Sequence, residues 1–335
     1  MKEELKNKKI LITGGAGSVG KALIKEMLKH DVNVIRVFDI SENEIYKLKN
    51  NFIGEEKLRY LIGDIRDLER LKLAMEGIDI VIHLAAMKHV YACEYNPFEA
   101  VKTNIDGLQN VINCARNENI EKVIFTSTDK AARPLSVMGM TKLMGEKLIS
   151  SANYYKGDKK TIFTSVRFGN VIGSNGSVIP LFKKQILNGE QLRITDTEMT
   201  RFVITMQEAV DLIFKTIEFT KGGETFVWKM KTLKVVDLAN VMIKRYAGGK
   251  EIKTTITGKG EGEKIDEEIM SNEELSRALE MDNLYVIFPT VDYSEAKNKY
   301  ENSRSVENPI IASNMGQYMA QDEINKLLEK EIDIC

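Results

Sequence analysis

The sequence predicts an α/β fold: an open, doubly wound parallel sheet joined to a smaller mixed part. Three observations predict it. From Lys9 to Arg167, short β-branched runs alternate with longer segments of helical period, the pattern of parallel strands linked by crossover helices. The runs are almost wholly apolar, as strands are when helices cover both faces of their sheet. A glycine-rich stretch, "GGAGSVG", directly follows the first run, where such folds turn from strand to helix.

In chain order the strands read "KILIT", "VNVIRVFD", "LRYLIGD", "IDIVIHLAA", "KVIFTST" and "TIFTSVRFG". Helices are predicted at 21–29, 42–50, 97–115 and 138–151, the third opening on Pro97 after Asn96, since proline suits the first helical position. Beyond Arg167 the alternation fades. Gly and Asn punctuate 169–176, and separate helices are expected at 178–187, 207–219 and 235–246. The chain therefore divides into a first domain at 1–168, to which some later segments return, a mainly substrate-binding part at 169–300, and a C-terminal tail at 301–335. No clear linker separates the first two. The stretch from Gln321 is helical by composition and fits either a helix or a loosely held tail.

A chain of 335 residues, 43% hydrophobic, can bury a substantial core. Its 48 basic and 49 acidic residues nearly cancel, so the net charge gives no reason to expect nucleic acid or an anionic membrane as partner. Cys93, Cys114 and Cys335 are odd in number and lack the close pairing of a zinc or redox motif. No metal site or structural disulfide is expected, and a reducing compartment is. Apolar stretches fall well short of the roughly 18 residues of a membrane span, and the N-terminus lacks the apolar core of a signal peptide. The expectation is a cytoplasmic protein with no membrane partner.

"ITGGAGSVGKAL" follows a strand and opens a helix, spacing Gly14, Gly17 and Gly20 as G-x-x-G-x-x-G. The first glycine permits a tight turn, the second lets backbone approach a pyrophosphate, and the third allows close helix packing. The amides around Ser18 and Val19, at the helix start, would meet the phosphates. Asp39 ends the second strand 19 residues after Gly20, where a carboxylate accepts hydrogen bonds from an adenosine ribose diol. The first domain is thus Rossmann-like. Because a carboxylate there repels a 2′-phosphate, NAD is favoured over NADP. Asp64 and Ile65 in "GDIRD" either flank the adenine or cap a helix leading into Leu68. Ala85 and Ala86 leave little bulk beside the cofactor, and His83 reads as a core histidine.

"TSTDKAARP" begins where the fifth strand leaves the sheet, at the carboxyl ends where open α/β folds bind ligands. Consecutive strand side chains face opposite ways. For Asp129 and Lys130 both to reach one substrate, the chain must already have turned. A neighbouring acid and base in a cleft is what elimination of water requires, although an adjacent Asp-Lys pair is also common on surfaces.

Along the chain, "HLAAMKHVYACEYNPFEAVKTNI", "TSTDKAARP", "MGMTK", "VRFGNVIGSNGSVIPLF" and "EMTRFVIT" follow one another between positions 83 and 205. Through them the sequence, from about Lys9 to Pro289, resembles the extended short-chain dehydrogenase/reductases, and among these the nucleotide-sugar 4,6-dehydratases acting on N-acetylglucosamine. The resemblance implies a bound NAD that takes hydride from C4 of the sugar, loss of water across C5 and C6, and return of the hydride to C6. The product would be a 4-keto-6-deoxy sugar, made for bacterial surface glycans. Asp129 would protonate the departing 6-hydroxyl, Lys130 would remove the C5 proton, and Thr128 would bind the 4-hydroxyl. The elimination asks Asp129 to hold a proton and Lys130 to lose one, and burial is expected to push both that way.

Met138 and Lys142 lie four residues apart, on one helix face, where the short-chain family places Tyr and Lys. Lys142 would still bond the nicotinamide ribose. By resemblance, one branch of these dehydratases keeps the tyrosine and inverts C5, whereas others carry methionine and retain configuration, so Met138 implies retention. The resemblance also places Lys88 and His89 beside the sugar, Asn170 near the sugar or diphosphate, and Arg201 on a phosphate, for which its fork is suited. One departure matters. Relatives acting on UDP sugars show Arg-Pro-Gly-Glu-Lys where this chain has "GKGEGEK", with Gly260 and Glu261 replacing Arg-Pro. Losing a cation and gaining an anion beside a diphosphate is expected either to weaken or reshape binding of a UDP sugar or to let Glu261 accept from a guanine edge, as in the GDP-N-acetylglucosamine dehydratases of legionaminic-acid synthesis, so UDP- and GDP-N-acetylglucosamine both stay open as substrates. The alternatives are a nucleotide-sugar 4-epimerase and a non-catalytic NAD-binding regulator. Homo-oligomerisation is implied by the family alone.

Overall fold

The computed structural model describes residues 2–291, 297–300 and 303–332; Cys335 lies outside the described residues. The six apolar runs become β1 (Lys9–Thr13), β2 (Val34–Asp39), β3 (Leu58–Ile62), β4 (Ile80–His83), β5 (Lys122–Thr128) and β6 (Ile162–Phe168). They lie parallel in the order 3-2-1-4-5-6, the doubly wound order that opens a crevice between β1 and β4 at their carboxyl ends.

The chain then builds β7 (Asn170–Val171), β8 (Leu192–Ile194), β9 (Thr200–Ile204), β10 (Thr225–Trp228), β11 (Lys231–Lys234), β12 (Thr254–Ile256), β13 (Ala278–Met281), β14 (Leu284–Ile287) and β15 (Arg304–Ser305). Four of these return to the main sheet: β10 pairs parallel with β6, and β14, β13 and β15 extend the edge antiparallel. The sheet is therefore parallel from β3 through to β10, as the sequence predicts, and carries in addition an antiparallel edge of β14, β13 and β15. Asp282, with φ 50°, turns the chain between β13 and β14 within two residues, a connection that only antiparallel neighbours allow.

Thirteen helices are described: α1 (Lys2–Leu5), α2 (Ser18–Met27), α3 (Glu42–Asn51), α4 (Leu68–Met75), α5 (Val90–Tyr95), α6 (Pro97–Val101), α7 (Gly107–Asn117), α8 (Val137–Ala152), α9 (Val178–Leu187), α10 (Met206–Phe219), α11 (Val235–Tyr246), α12 (Asn272–Leu275) and α13 (Gln321–Ile332). Apolar faces of α2, α3 and α10 pack on one side of the sheet, and those of α4, α7 and α8 on the other. Side-chain caps fix where four of them start: Ser41 accepts from Glu44 N, Asp67 from Arg70 N, Ser136 from Gly139 N and Thr205 from Glu208 N. A third core joins α9, α11 and β9, and Ile324 and Leu328 of α13 are buried in it, so the stretch from Gln321 is a docked helix. The helix expected over 97–115 is interrupted at 102–106 by a wider turn with i→i+5 bonding, a feature frequent at functional sites.

Candidate active site

The six strands β1 to β6 each end at the rim of one cleft of about 830 Å³. Gly14 follows β1 with φ 67°, and a Cβ there would stand 2.7 Å from Ala85 N, so the turn admits only glycine without strain. Gly17, Ser18, Val19 and Gly20 continue the lining at the start of α2. Asp39, at the end of β2, accepts from Ala16 N at 3.1 Å and Ser41 N at 3.0 Å, which fixes its carboxylate against the glycine turn. Such a cradle, with bare backbone amides at a helix start and a carboxylate 19 residues on, fits an adenosine dinucleotide.

Asp64 and Ile65 also line this cleft. The cap of α4 is Asp67; Asp64 instead accepts from Arg66 N at 2.9 Å and Arg66 Nε at 2.7 Å. Burial would raise its pKa, but Arg66 outweighs burial and holds it below the carboxylate range. Ala85 and Ala86 form the opposite wall. His83 is buried, with Nδ1 2.6 Å from Thr13 Oγ1, and burial pushes its pKa down to about 3; a neutral core histidine is what the sequence led one to expect.

At the end of β5 the chain turns into a short 3-10 segment, Asp129–Ala131, so that neighbours 128, 129 and 130 converge. Thr128 Oγ1 donates to Asp129 Oδ1 at 2.9 Å, and Lys130 Nζ donates to the same oxygen at 2.9 Å. Thr128 and Lys130 line the cleft, whereas Asp129 is 0% exposed and lies behind them. Neither member of the pair is turned to bulk solvent. Asn170, on β7, completes this end with Oδ1 3.5 Å from Lys130 Nζ.

The electrostatics of Lys130 differ from the sequence expectation. Burial alone would lower its pKa, but the carboxylates of Asp129 and Glu267 outweigh burial and hold it above the ordinary value, with Arg201 opposing them. The amine is stabilised as an ammonium by Asp129 first and Glu267 second, which corrects the expectation that burial would free it. The sequence reading passed over Glu267. It lies three positions after Lys264 in the stretch that departs from the UDP-sugar pattern, and its only signal was an acidic residue among other acids.

Lys142 is buried on α8, donates to Thr126 O at 2.8 Å and lies 4.6 Å from the Phe125 ring centroid. Burial, against the charges of Glu146 and Cys93, lowers its pKa to about 8. Met138, one turn earlier and 4% exposed, packs with Cys93 and Ala100 while still lining the cleft. Asn104, inside the wide turn at 102–106, accepts from Met87 N and donates to Met87 O and Thr141 Oγ1. It ties the wall at 85–89 to α8, a role no motif announced.

Across the cleft mouth, Asn175 N donates to Ser18 Oγ at 3.0 Å, and Lys88 Nζ donates to Asn175 O at 2.7 Å. Burial lowers the pKa of Lys88, and burial together with Lys88 lowers that of His89 beside it. Two expected substrate contacts sit elsewhere. Arg201 directs Nη1 to Thr200 O and Ile265 O and Nη2 to Lys264 O, bracing the 264–265 backbone beside a small recess next to the main cleft. Glu261 is exposed on a turn and does not line the cleft. Beneath the site, Arg167 is fully buried and joins Glu146 of α8 to Glu274 and Ile269 O.

A family profile described as polysaccharide biosynthesis protein matches residues 10–289. The chain belongs to that family. Its relatives include an uncharacterized membrane protein of Methanocaldococcus jannaschii, 45% identical over 97% of this chain and 96% of that one. A UDP-N-acetylglucosamine 4,6-dehydratase (inverting) of Campylobacter jejuni is 41% identical over 88% of this chain and 86% of its own. A UDP-glucose 4-epimerase of Rickettsia massiliae is 37% identical over 84% of this chain and 83% of its own. The X-ray structure of Pen from Bacillus thuringiensis superposes with a TM-score of 0.93 at 40% identity, covering 99% of both chains. Among the described residues no helix is long and apolar enough to cross a membrane.

Proposed function

We propose that this family member is an NAD-dependent lyase that dehydrates a nucleotide-linked N-acetylglucosamine to its 4-keto-6-deoxy form, retaining configuration at C5, for surface-glycan synthesis of the legionaminic-acid type. One observation carries the reading: Thr128, Asp129 and Lys130 share a hydrogen-bonded turn at the cleft wall, while the helix position of the usual phenol holds Met138.

Gly14, Gly17, Ser18, Val19, Gly20, Asp39, Asp64, Ile65, Ala85, Ala86 and Lys142 would hold the cofactor, and Asp39 favours NAD by repelling a 2′-phosphate. Bound there, NAD supplies a reversible hydride acceptor. The chain supplies the proton chemistry. Thr128 donates its own proton to Asp129 and accepts from Lys130 N at 3.4 Å, which leaves one lone pair of its oxygen to accept from a substrate 4-hydroxyl. A proton entering there reaches Asp129 Oδ1 in one relay, and the same path can return it to a departing 6-hydroxyl. Asp129 thus acts through Thr128 rather than by touching the sugar. Lys130 Nζ is the group on the cleft wall suited to take the C5 proton. Lys88, His89 and Asn170 border the hexose in this reading.

Cytoplasmic residence belongs to the same reading, with Cys93 and Cys114 buried as free thiols. Assembly as a homo-oligomer is supported by the exposed Tyr91, Tyr95, Phe98, Met140 and Met144 on α5, α6 and α8, which are neighbouring helices. The relatives named epimerases favour a second reading, 4-epimerisation. Incubation with UDP- and GDP-N-acetylglucosamine separates the two by mass. Loss of one water supports the proposal; conversion at unchanged mass to the 4-epimer, or no conversion of either nucleotide, refutes it.

A further inference from the structure

An ammonium has no lone pair, and Lys130 is held as an ammonium. Something must take its proton before it can act as a base. Glu267 is 2% exposed and places Oε1 3.4 Å from Lys130 Nζ. Its Oε2 is buried and has no hydrogen-bond partner among the described residues; the same is true of Asp129 Oδ2. One ammonium therefore sits between two buried carboxylates, each keeping an orphan oxygen. Such atoms are rare in folded proteins and call for an explanation at each occurrence.

The charged groups facing Glu267 are Lys130, Asp129, Arg201 and Lys264. Arg201 uses its terminal nitrogens on the carbonyls of 200, 264 and 265, and Lys264 Nζ donates to Ala132 O at 2.9 Å. Only Lys130 forms an ion pair with Glu267 among the described residues. Burial raises the pKa of the Glu267 carboxyl past the pull of Lys130, and Asp129 adds to the rise. The acid is thus disposed to accept a proton from its neighbour.

We infer that Glu267 is a positioning residue that stores the Nζ proton of Lys130 and so supplies the neutral amine the elimination needs; this rests on the dehydratase reading above. The step balances. When the Thr128 relay delivers the 4-hydroxyl proton to Asp129, one carboxylate beside Lys130 is neutralised. The N–H bond of Lys130 then breaks as an O–H bond forms on Glu267 Oε1, leaving three neutral groups where a charged pair stood, which a water-poor site favours. The amine lone pair takes the C5 proton, and the Asp129 proton leaves with the 6-hydroxyl as water. Once Nζ has returned its proton to C5, Glu267 gives its own back to Nζ, and all three groups regain their starting charge.

The test compares the parent with Glu267→Gln, using whichever N-acetylglucosamine nucleotide the parent dehydrates. The parent's kcat is expected to be flat between about pH 7 and pH 9, since its base is discharged internally. E267Q should lose about 100-fold at pH 7, the scale of a missing proton-transfer group, and regain about tenfold per pH unit as solvent takes over the deprotonation of Lys130. Competitive labelling of amines, read by mass spectrometry on the NAD complex without substrate, should show the Lys130 midpoint falling in E267Q, and the kcat rise should level off no higher than that midpoint, because Asp129 is neutral during turnover. A pH-independent loss, as a purely structural role would give, or parent-like flat turnover in E267Q overturns the inference. Should E267Q fail to hold NAD, Glu267→Asp carries the test: a slower but flat profile supports storage by the carboxylate, and a rising one overturns it. A parent that dehydrates neither nucleotide removes the dehydratase reading and this inference with it, whereas an active parent with an unaffected variant removes the inference alone.

Discussion

Replacing Arg167 by methionine should reveal how the site is held from below. The guanidinium is 0% exposed and donates five hydrogen bonds, two to Glu146, two to Glu274 and one to Ile269 O. Methionine fills much of the volume but leaves two buried carboxylates without their cation, and removing one partner of a buried pair costs about 3–5 kcal/mol. That is a large share of the roughly 5–15 kcal/mol by which domains are stable. At about 2 °C per kcal/mol for a large domain, Tm should fall by about 6–10 °C. The pH dependence identifies the cause. In the parent, burial would raise Glu274 but Arg167 outweighs it and holds the group below the glutamate range, so its contribution is present above the ordinary glutamate pKa and is lost as pH falls. In R167M, burial of Glu274 loses its main opponent and raises that carboxyl, so protonation favours the folded form and the deficit should shrink between about pH 8 and about pH 5. A triple variant adding Glu146→Gln and Glu274→Gln should recover most of the loss. The assay is a thermal melt followed by circular dichroism at several pH values. A melt of R167M within 1–2 °C of the parent, about 1 kcal/mol or less, or a deficit that grows toward acid pH, would refute the reasoning.

Thr128→Val keeps the branched shape and removes the relay oxygen; kcat should fall by about 100-fold with NAD affinity unchanged by calorimetry, and turnover within threefold of the parent would exclude the relay. Gly14→Ala forces a side chain to φ 67° and to 2.7 Å from Ala85 N, so calorimetry should find NAD binding abolished; retained binding would show that the turn can shift. Met138→Tyr should not be needed for activity, and an inactive parent rescued by it would mean that the phenol is required after all. Guanine recognition by Glu261 predicts that GDP competes better than UDP and loses that advantage in Glu261→Gln; because Glu261 is exposed outside the cleft, equal competition by the two nucleotides would remove it from the site.

The six parallel strands and the glycine turn were legible because their signals are local: apolar runs of strand length, and glycines where backbone must bend or approach closely. The helix at 97–115 was legible as a helix, but the wide turn at 102–106 was not. It carries Asn104, which reaches the backbone of Met87 and the Thr141 hydroxyl, partners that no spacing along the chain reveals. The edge β14-β13-β15 was missed for a similar reason, since short apolar segments at 278–287 do not say which sheet they will join. At the site, "TSTDK" was readable as chemistry, yet the burial of Asp129 behind Thr128 and Lys130 was not.

By itself, the sequence determined the doubly wound sheet, the cofactor turn and the residue types able to move protons at the end of β5, because each depends on neighbours within a few positions. Only the tertiary structure decided the charge state of Lys130. Glu267 lies 137 residues away in the chain and 3.4 Å away in space, and at that distance in a buried site two carboxylates outweigh the burial that would otherwise have freed the amine.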